Sequence, residues 1–272
     1  MNYGKWYYRD YFETLKLDGD GNLLNTDKFN KETDKLKAIN QRPVKEDPIF
    51  KLIPGFTCFE LKTSYPGLLC GIGYHHEINK SERNEQNANH DQQEDRDSGA
   101  FYQLGMYFDY TSGLPVIPGS SIKGALKSAI EKWDFLKYKE LNGSSTWKGN
   151  DKEHFLDYVF EGKGLSGYKQ DIFLDAIPVE SDKTLFGDDY ITAHKHPLKN
   201  PTPIRFLRVN PGVTYRFRFI LKDTKILVDG NEIVFSATDK EKLFEEIILM
   251  FGLGAKTNVG YGRFVESSDN AK

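Results

Sequence analysis

The 272-residue sequence has few cysteines, no long apolar run and almost no net charge. Its two cysteines, Cys58 and Cys70, are too few for a disulfide scaffold, and neither has the C-x-x-C spacing of zinc ligands. No segment approaches the roughly 18 to 20 apolar residues that a membrane helix needs, and the first twenty residues carry too many charges for a signal peptide. These absences predict a soluble, cytoplasmic protein with no membrane partner, and nothing in the sequence indicates a cofactor.

The cations are concentrated in one stretch although the net charge is small. Residues 194–225 hold eight Lys or Arg residues and a single acid, Asp223, which makes them a candidate electrostatic footprint for nucleic acid. Within this positive stretch, aromatic residues alternate with Arg216 and Arg218. A strand there would pack its aromatic face and leave both arginines free to contact phosphates. The alternative is a solvated strand face whose arginines pair with acidic residues elsewhere in the chain.

The spacing of apolar residues predicts an α+β fold. Strands are expected at 58–65, 171–179, 213–221 and 261–265, with one helix after Ile117 and a second from Asp239. This gives the order strand, helix, strand, strand, helix, strand, which is the ferredoxin-like (RRM-like) βαββαβ order. We also expect a strand over 101–108 and a hairpin turning at Asp229-Gly230. Residues 3–12 are compatible with either a strand or an amphipathic helix.

The predicted domain covers residues 51–266, with an N-terminal extension, 1–50, packed on its core and a tail, 267–272. Three insertions are expected at about 79–99, 138–168 and 180–203. Residues 79–99 contain one apolar side chain, Ala88, and are predicted to be a mobile loop.

The first helix is predicted from an apolar stripe and a cap. Ser120 or Ser121 is available as N-cap, and Gly124 in the first turn costs about 1 kcal/mol relative to Ala, which indicates a close approach to the helix backbone. The stripe consists of Ile122, Ala125, Leu126, Ala129, Ile130 and Trp133.

The second helix has its own start and stop signals. Thr238 and Glu241 have the spacing of a capping box, and Gly252 is a natural stop. Its buried stripe is predicted to be Leu243, Phe244, Ile247, Ile248 and Phe251.

A glycine-rich loop, GLGAKTNVGYG from Gly252, follows the second helix. It is not a nucleotide-hydrolase P-loop, because Ala255 stands where that motif has glycine and because the loop leaves a helix rather than entering one. Its backbone N–H groups, together with Lys256, Thr257 and Asn258, can still hold a phosphodiester without chemistry. The alternative is a plain helix-to-strand turn.

Residues suited to catalysis are sparse. Adjacent His75 and His76 would point to opposite sides of a strand, and the pair His194 and His196 has no neighbouring Asp or Cys to complete a metal site. His75 or His76 could act as general base for RNA cleavage through the 2′-hydroxyl, although a surface histidine is the commoner case. We therefore predict no metal site and no catalytic residue.

Five segments resemble one protein family. They are TSYPGLLCGIGYHHE from Thr63, FDYTSGLPVIPGSSIKGALK from Phe108, DAIPV from Asp175, PTPIRFLRVNPG from Pro201 and GLGAKTNVGYGRF from Gly252. IPGSSIKG and the glycine-rich loop are typical of RAMP proteins generally. TSYPGLLCGIGY and PTPIRFLRVNPG are similar to the sixth-subunit family of the Cmr effector complex of type III-B CRISPR systems.

The resemblance implies a ferredoxin-like, RNA-binding subunit of an antiviral complex. It would lie with a second cap subunit at the 3′ end of the guide RNA, above a filament of backbone subunits, and contact guide RNA and target RNA. In that family the backbone subunit cleaves the target with an aspartate in the loop after its first strand. Here residues 74–77 read Tyr-His-His-Glu, without an aspartate, which fits a non-catalytic subunit.

Pattern and resemblance together predict an RNA-binding set on the helix N-terminus, the glycine-rich loop and one strand: Ser120, Ser121, Lys123, Lys127, Gly254, Lys256, Thr257, Asn258, Arg216 and Arg218. Either arginine could equally hold an acidic partner subunit. Two other functions stay open: a guide-processing RAMP endoribonuclease using His75 or His76, and a protein-only scaffold.

Overall fold

The structure is a computed structural model of the chain. It describes residues 2–13, 15–16, 24, 26–40, 44–45, 47–73, 102, 104–142, 147–193 and 202–267. The predicted loop at 79–99 and the predicted tail, apart from Ser267, lie outside these ranges.

A mixed helix and sheet architecture confirms the predicted α+β class. The main sheet is antiparallel and contains β1 (Phe56–Thr63), β2 (Ile172–Phe173), β3 (Ile177–Ser181), β6 (Val213–Ile220) and β9 (Phe264–Glu266). Strand β6 pairs with β2 and β3 on one side and with β1 on the other, and β1 also pairs with β9. Strands β2/β3 and β9 therefore form opposite edges of the sheet.

Two long helices pack on one face of this sheet: α4 (Gly119–Trp133) and α7 (Ala237–Phe251). Period-two alternation directs Phe217 and Phe219 of β6 into the core, where both rings stack on Phe59 of β1. The apolar stripe of α7 is buried at Leu243, Phe244, Ile247 and Ile248, as predicted. Gly252 ends this helix with a φ of 73°, which also confirms the predicted stop.

Both predicted helix caps were wrong. The N-cap of α4 is Pro118, so Ser120 and Ser121 lie inside the first turn, and the N-cap of α7 is Ser236, whose Oγ accepts a hydrogen bond from the Asp239 N–H at 3.1 Å. Pro118 has no side-chain acceptor, and the Gly119 N–H at the helix start donates instead to Asp175 Oδ1 at 2.8 Å.

Two other expectations for α4 were also wrong. A Cβ placed on Gly124 meets nothing within 4 Å, so no part of the described chain approaches the backbone there. Trp133, the last residue of the helix, is 68% exposed, because the chain turns at Asp134 instead of continuing along the core.

The predicted strand over 171–179 is split. Leu174 to Ala176 separate β2 from β3, and the register along β6 shifts between Pro178 and Glu180. The described residues of 101–108 form no strand and make only isolated bridges at Leu104 and Phe108.

Two hairpins lie beside the sheet. Strands β4 (Phe186–Ala193) and β5 (Thr202–Val209) form one, and β7 (Thr224–Val228) and β8 (Asn231–Phe235) form the other. The second confirms the predicted turn, since Asp229 and Gly230 both have positive φ, at 49° and 81°.

The N-terminal residues are helical, which decides the choice left open by the sequence. Helix α1 (Tyr3–Lys5) continues through a π-helix (Trp6–Asp10) into α2 (Tyr11–Glu13), and α3 (Thr26–Lys37) follows. Tyr7 and Tyr11 are buried against Tyr102.

The region between α4 and β2 is also helical. It holds α5 (Phe135–Leu141), α6 (Lys152–Phe155) and a π-helix (Leu156–Phe160). Among the helices described, none combines the length and the apolar character required to cross a membrane.

Candidate nucleic-acid interface

The glycine-rich loop, residues 252–262, is held tightly against the turn that follows β1. Gly254 and Gly262 both have positive φ. A Cβ at Gly254 would lie 2.4 Å from the Leu69 carbonyl oxygen, and a Cβ at Gly262 would lie 1.8 Å from the Leu253 carbonyl oxygen. Only glycine avoids these clashes with backbone atoms. The glycines therefore give the loop one close-packed path.

Backbone hydrogen bonds use some of the loop's N–H groups and leave others. The N–H of Ala255 donates to Leu69 O at 2.8 Å, and that of Gly262 donates to Gly67 O at 2.7 Å. Five N–H groups of the loop donate to no residue in the described ranges: those of Gly254, Lys256, Thr257 and Asn258, which belong to the predicted set, and that of the buried Tyr261. All four loop residues that were predicted to contact phosphate therefore have a backbone N–H without a described acceptor.

Lys256 is at the centre of that segment. Its backbone has a left-handed φ of 59°, and it precedes a 3-10 turn, Thr257–Val259. Its side chain is exposed and makes no ion pair with the part of the chain described. A cation beside several unpaired N–H groups is an arrangement that attracts an anion.

An exposed tyrosine that the sequence reasoning missed lies next to this loop. Tyr65 was expected to continue the buried face of β1, but the strand ends at Thr63 and Tyr65 is 83% exposed. The turn abuts the loop, because Ser64 N–H donates to Arg263 O at 2.9 Å and Pro66 Cδ lies 3.4 Å from a Cβ placed on Gly260. Pro66-Gly67 in the sequence was the signal that Tyr65 begins a turn.

Partly or fully buried polar side chains hold this turn in place. Arg208 Nη1 donates to Pro66 O at 2.7 Å and to Asn210 Oδ1 at 3.0 Å, and its Nε lies 3.6 Å from Asp189 Oδ2. The Tyr261 hydroxyl donates to Asp189 Oδ2 at 2.6 Å. Burial raises the pKa of Tyr261, and the hydrogen bond to Asp189 raises it further.

The N-terminus of α4 already holds an anion from this chain. The Gly119 N–H donates to Asp175 Oδ1 at 2.8 Å, so a carboxylate lies at the positive end of the helix dipole. Ser120 and Ser121 are exposed beside it. Lys123 is half-buried with its ammonium 5.9 Å from the centre of the Phe173 ring.

Lys127 lies one turn further along α4 and is paired. Its Nζ donates to Glu161 Oε1 at 2.6 Å, and this hydrogen bond raises the pKa of Lys127. Both side chains are solvent-accessible, so the pair can exchange with a stronger anion at small cost.

The two arginines of β6 bind within the chain. Arg216 Nε and Nη2 each lie 2.7 Å from Glu60 Oε1 on the neighbouring strand, and the Arg216 side chain is only 12% exposed. Arg218 donates from Nε and Nη2 to Asp175 O at 3.1 and 3.0 Å, and its guanidinium lies 5.3 Å from the centre of the Phe50 ring.

The rest of the positive stretch behaves in the same way where it is described. Arg205 binds Asp188 and covers the Tyr102 ring, and Lys222 Nζ donates to Pro54 O. Each described arginine of the stretch is bound within the chain to a carboxylate or a carbonyl oxygen, as in the alternative of internally paired arginines, and RNA binding by Arg216 and Arg218 stays a prediction. Lys195 and Lys199 lie outside the described residues.

The predicted residues fall at two separate places. Gly119 is packed against Phe173 of β2, at one edge of the sheet, whereas the glycine-rich loop leads into β9 at the other edge. Three interstrand spacings, roughly 14 Å, separate these edges. A ligand that touches both must be extended.

The residues considered for catalysis are outside the described ranges. These are His75, His76, His194, His196 and the turn at 74–77. In the ranges that are described, His, Cys, Asp and Glu side chains form no group of three or more that could hold a metal ion.

Comparison with known proteins identifies relatives of the chain. The family model of the RAMP superfamily matches residues 60–265. The CRISPR system CMR subunit Cmr6 of Saccharolobus solfataricus is 30% identical over 169 residues, which cover 60% of this chain and 49% of that protein. The chain thus spans about half the length of this curated relative.

Two solved structures are also similar. A chain in the cryo-EM structure of the type III-B Cmr-beta complex bound to cognate target RNA has 24% identity and a TM-score of 0.49, covering 89% of this chain and 65% of its own length. The crystal structure of Cmr6 from Pyrococcus furiosus has 17% identity and a TM-score of 0.39, and the match covers 78% of this chain and 97% of the Cmr6 chain.

Proposed function

The chain belongs to the RAMP superfamily, and on that premise we propose that it is a non-catalytic, RNA-binding subunit of a type III-B CRISPR (Cmr) effector complex. In this proposal it caps the backbone filament near the 3′ end of the guide RNA and supports binding of target RNA in antiviral defence. Its partners are the guide RNA, the target RNA, the backbone subunit and a second cap subunit, all in the cytoplasm. The 30% identity to Cmr6 supports the choice of complex.

The observation that carries RNA binding is the set of unpaired N–H groups in the glycine-rich loop. Those of Gly254, Lys256, Thr257 and Asn258 lie beside an exposed lysine and donate to no described residue. Phosphodiester oxygens accept hydrogen bonds from such groups and are attracted by the lysine, with no need for sequence recognition. We rank this loop first among the proposed contacts.

The remaining proposed contacts rank lower for physical reasons. Ser120, Ser121, Lys123 and Lys127 come second, because a phosphate there must share the helix end with Asp175. Arg216 and Arg218 come last, because both are engaged inside the chain.

We also propose the finer fold assignment, a ferredoxin-like domain over residues 51–266. The strand order β2/β3, β6, β1, β9 and the helices after β1 and β6 support it. Residues 1–50 would be an extension, residues 267–272 a tail, and 79–99, 138–168 and 180–203 insertions.

The direct test is to purify the tagged protein from its host with its partners attached and to sequence the RNA that copurifies. We expect short RNAs with a common repeat-derived 5′ tag, together with other RAMP subunits. Recovery of the protein alone and without RNA would contradict the proposal.

A double variant, Lys256→Ala with Lys123→Ala, separates an RNA-binding subunit from a protein-only scaffold. Lys256 is exposed and Lys123 is half-buried, and neither is in an ion pair within the described ranges, so the variant should assemble normally while retaining less RNA at raised salt. Unchanged RNA retention in an intact assembly would support the scaffold instead.

A further inference from the structure

Tyr65 is a large aromatic side chain displayed to solvent on a fixed turn. It is 83% exposed, although burying a tyrosine normally removes a large apolar area from water. Among the described residues, no hydrogen bond or ring contact involves its side chain. Its exposure therefore has no explanation in the packing of this chain.

The backbone of the turn that carries Tyr65 is fixed by several contacts with neighbouring residues. Arg208 donates to the carbonyl of Pro66, and Gly67 adopts a φ of 118° that places a hypothetical Cβ only 2.2 Å from Val209 O. Gly262 N–H donates to Gly67 O at 2.7 Å, which joins the turn to the glycine-rich loop. The backbone of the turn is thus fixed against the glycine-rich loop, so a ligand that stacks on Tyr65 does not have to order the turn.

We propose that Tyr65 is a base-stacking residue that receives one unpaired base of a single-stranded RNA whose backbone lies on the glycine-rich loop. The inference rests on the proposed RNA-binding function and adds that the bound RNA is single-stranded at this point. A base in the interior of a duplex is already stacked on both faces, so an isolated aromatic ring can stack on an unpaired base but not on a base inside a duplex. Stacking accepts any base, since every base has a π-face.

Stacking and phosphate contact differ in how they respond to salt. A neutral ring releases no counterions on binding, whereas each neutralised phosphate of a single strand contributes about 0.7 to the log–log salt slope. Loss of Tyr65 should therefore weaken binding equally at all salt concentrations. Loss of Lys256 should reduce the slope.

The experiment measures the affinity of the full-length chain for a fluorescently labelled single-stranded RNA by anisotropy over a range of salt. We expect Tyr65→Ala to weaken binding roughly 5- to 150-fold with an unchanged salt slope. Tyr65→Phe keeps the ring and should bind like the wild type, and Tyr65→Leu keeps apolar bulk without the ring and should bind like Tyr65→Ala.

Tyr168 provides a matched control. It is 77% exposed and lies just before β2, at the edge of the sheet opposite the glycine-rich loop. Tyr168→Ala should leave RNA affinity unchanged. An equal loss in both alanine variants would contradict a specific role for Tyr65.

The outcomes distinguish this inference from the proposed function. Wild-type affinity in Tyr65→Ala, with a reduced slope in Lys256→Ala, would overturn the stacking role and leave RNA binding intact. A reduced salt slope in Tyr65→Ala, or failure of Tyr65→Phe to bind, would also overturn it. A wild-type chain that binds no RNA would contradict the proposed function itself.

Discussion

Strand β6 and the glycine-rich loop both carry cations, but they use them differently. Arg216 and Arg218 of β6 bind Glu60 and the Asp175 carbonyl, whereas Lys256 of the loop has no ion pair within the described ranges. The sequence concentrates its cations around β6, in a stretch with eight Lys or Arg residues and one acid, although the loop and the helix terminus were ranked above this strand as RNA contacts. The difference teaches that a local excess of charge becomes a binding surface only where the fold provides no internal partner.

Pairing across strands explains why an arginine of β6 is engaged within the chain. Glu60 precedes Arg216 by 156 residues, but the antiparallel register of β1 and β6 puts them directly opposite each other. Opposite charges at such positions attract and become partly shielded from water. Lys256 has no such partner among the described residues, and the loop leaves backbone N–H groups without a described acceptor.

The largest effect is expected at Lys240, the most deeply buried of the described cations that are bound within the chain. Its side chain is 0% exposed, its Nζ lies 2.5 Å from Asp171 Oδ2, and it also donates to Lys222 O at 2.6 Å. Burial raises the pKa of Asp171 and lowers that of Lys240, so neither charge is stable there without the other. Lys240→Met should lower the free energy of unfolding by about 3–5 kcal/mol, measured by urea denaturation.

Lys242 supplies the matched control for that measurement, since it is exposed on the same helix. Lys242→Met should change stability by less than about 0.5 kcal/mol. A similar small loss in Lys240→Met would show that the buried pair is unimportant.

The next effect is at Arg216, where the comparison between the two regions is sharpest. Arg216→Ala leaves the Glu60 carboxylate without its arginine and should cost about 1.5–3 kcal/mol of stability. Because Arg216 is already bound to Glu60, the Arg216→Ala substitution should not change the salt slope of RNA binding. The double variant with Glu60→Ala should lose less than the sum of the single variants, as determined by a double-mutant cycle.

A smaller, pH-dependent effect is expected at Asp188, the partner of Arg205. Burial alone would raise the pKa of this carboxyl, but the hydrogen bond and charge of Arg205, with a contribution from Lys37, outweigh burial and lower it. An aspartate with a lowered folded-state pKa stabilises the fold above its unfolded pKa of about 3.9, and this stabilisation is lost as pH falls through the folded-state value.

Asp188→Asn should therefore cost about 1 kcal/mol at pH 7. The difference in melting temperature from the wild type should shrink as the pH drops below about 4. A difference that stays constant from pH 7 to pH 3 would mean that the Asp188 charge does not contribute.

Much of the fold could be predicted from the sequence because it depends on local periodicity. Strands β1 and β6, helices α4 and α7, the stop at Gly252 and the Asp229-Gly230 hairpin all follow from spacing or turn chemistry. The expected caps were wrong because Pro118 and Ser236 precede equally plausible candidates by only two residues. Such choices depend on contacts from outside the helix.

The candidate site was less predictable because its properties come from distant residues. Lys256 was identified from the loop composition. Which N–H groups near it stay unpaired could not be predicted, because it depends on which loop residues donate to the carbonyl oxygens of Leu69 and Gly67. Tyr65 was missed because the predicted strand was extended two residues past Thr63, up to the Pro66-Gly67 turn.

The most direct test compares Lys256→Ala with Arg216→Ala by the salt dependence of single-stranded RNA binding. If five phosphates are neutralised, the wild-type log–log slope is roughly −3.5, and Lys256→Ala should make it less negative by about 0.7. Arg216→Ala should keep the wild-type slope while losing stability. A wild-type slope in Lys256→Ala together with a reduced slope in Arg216→Ala would contradict the account, because RNA would then bind the strand and not the loop.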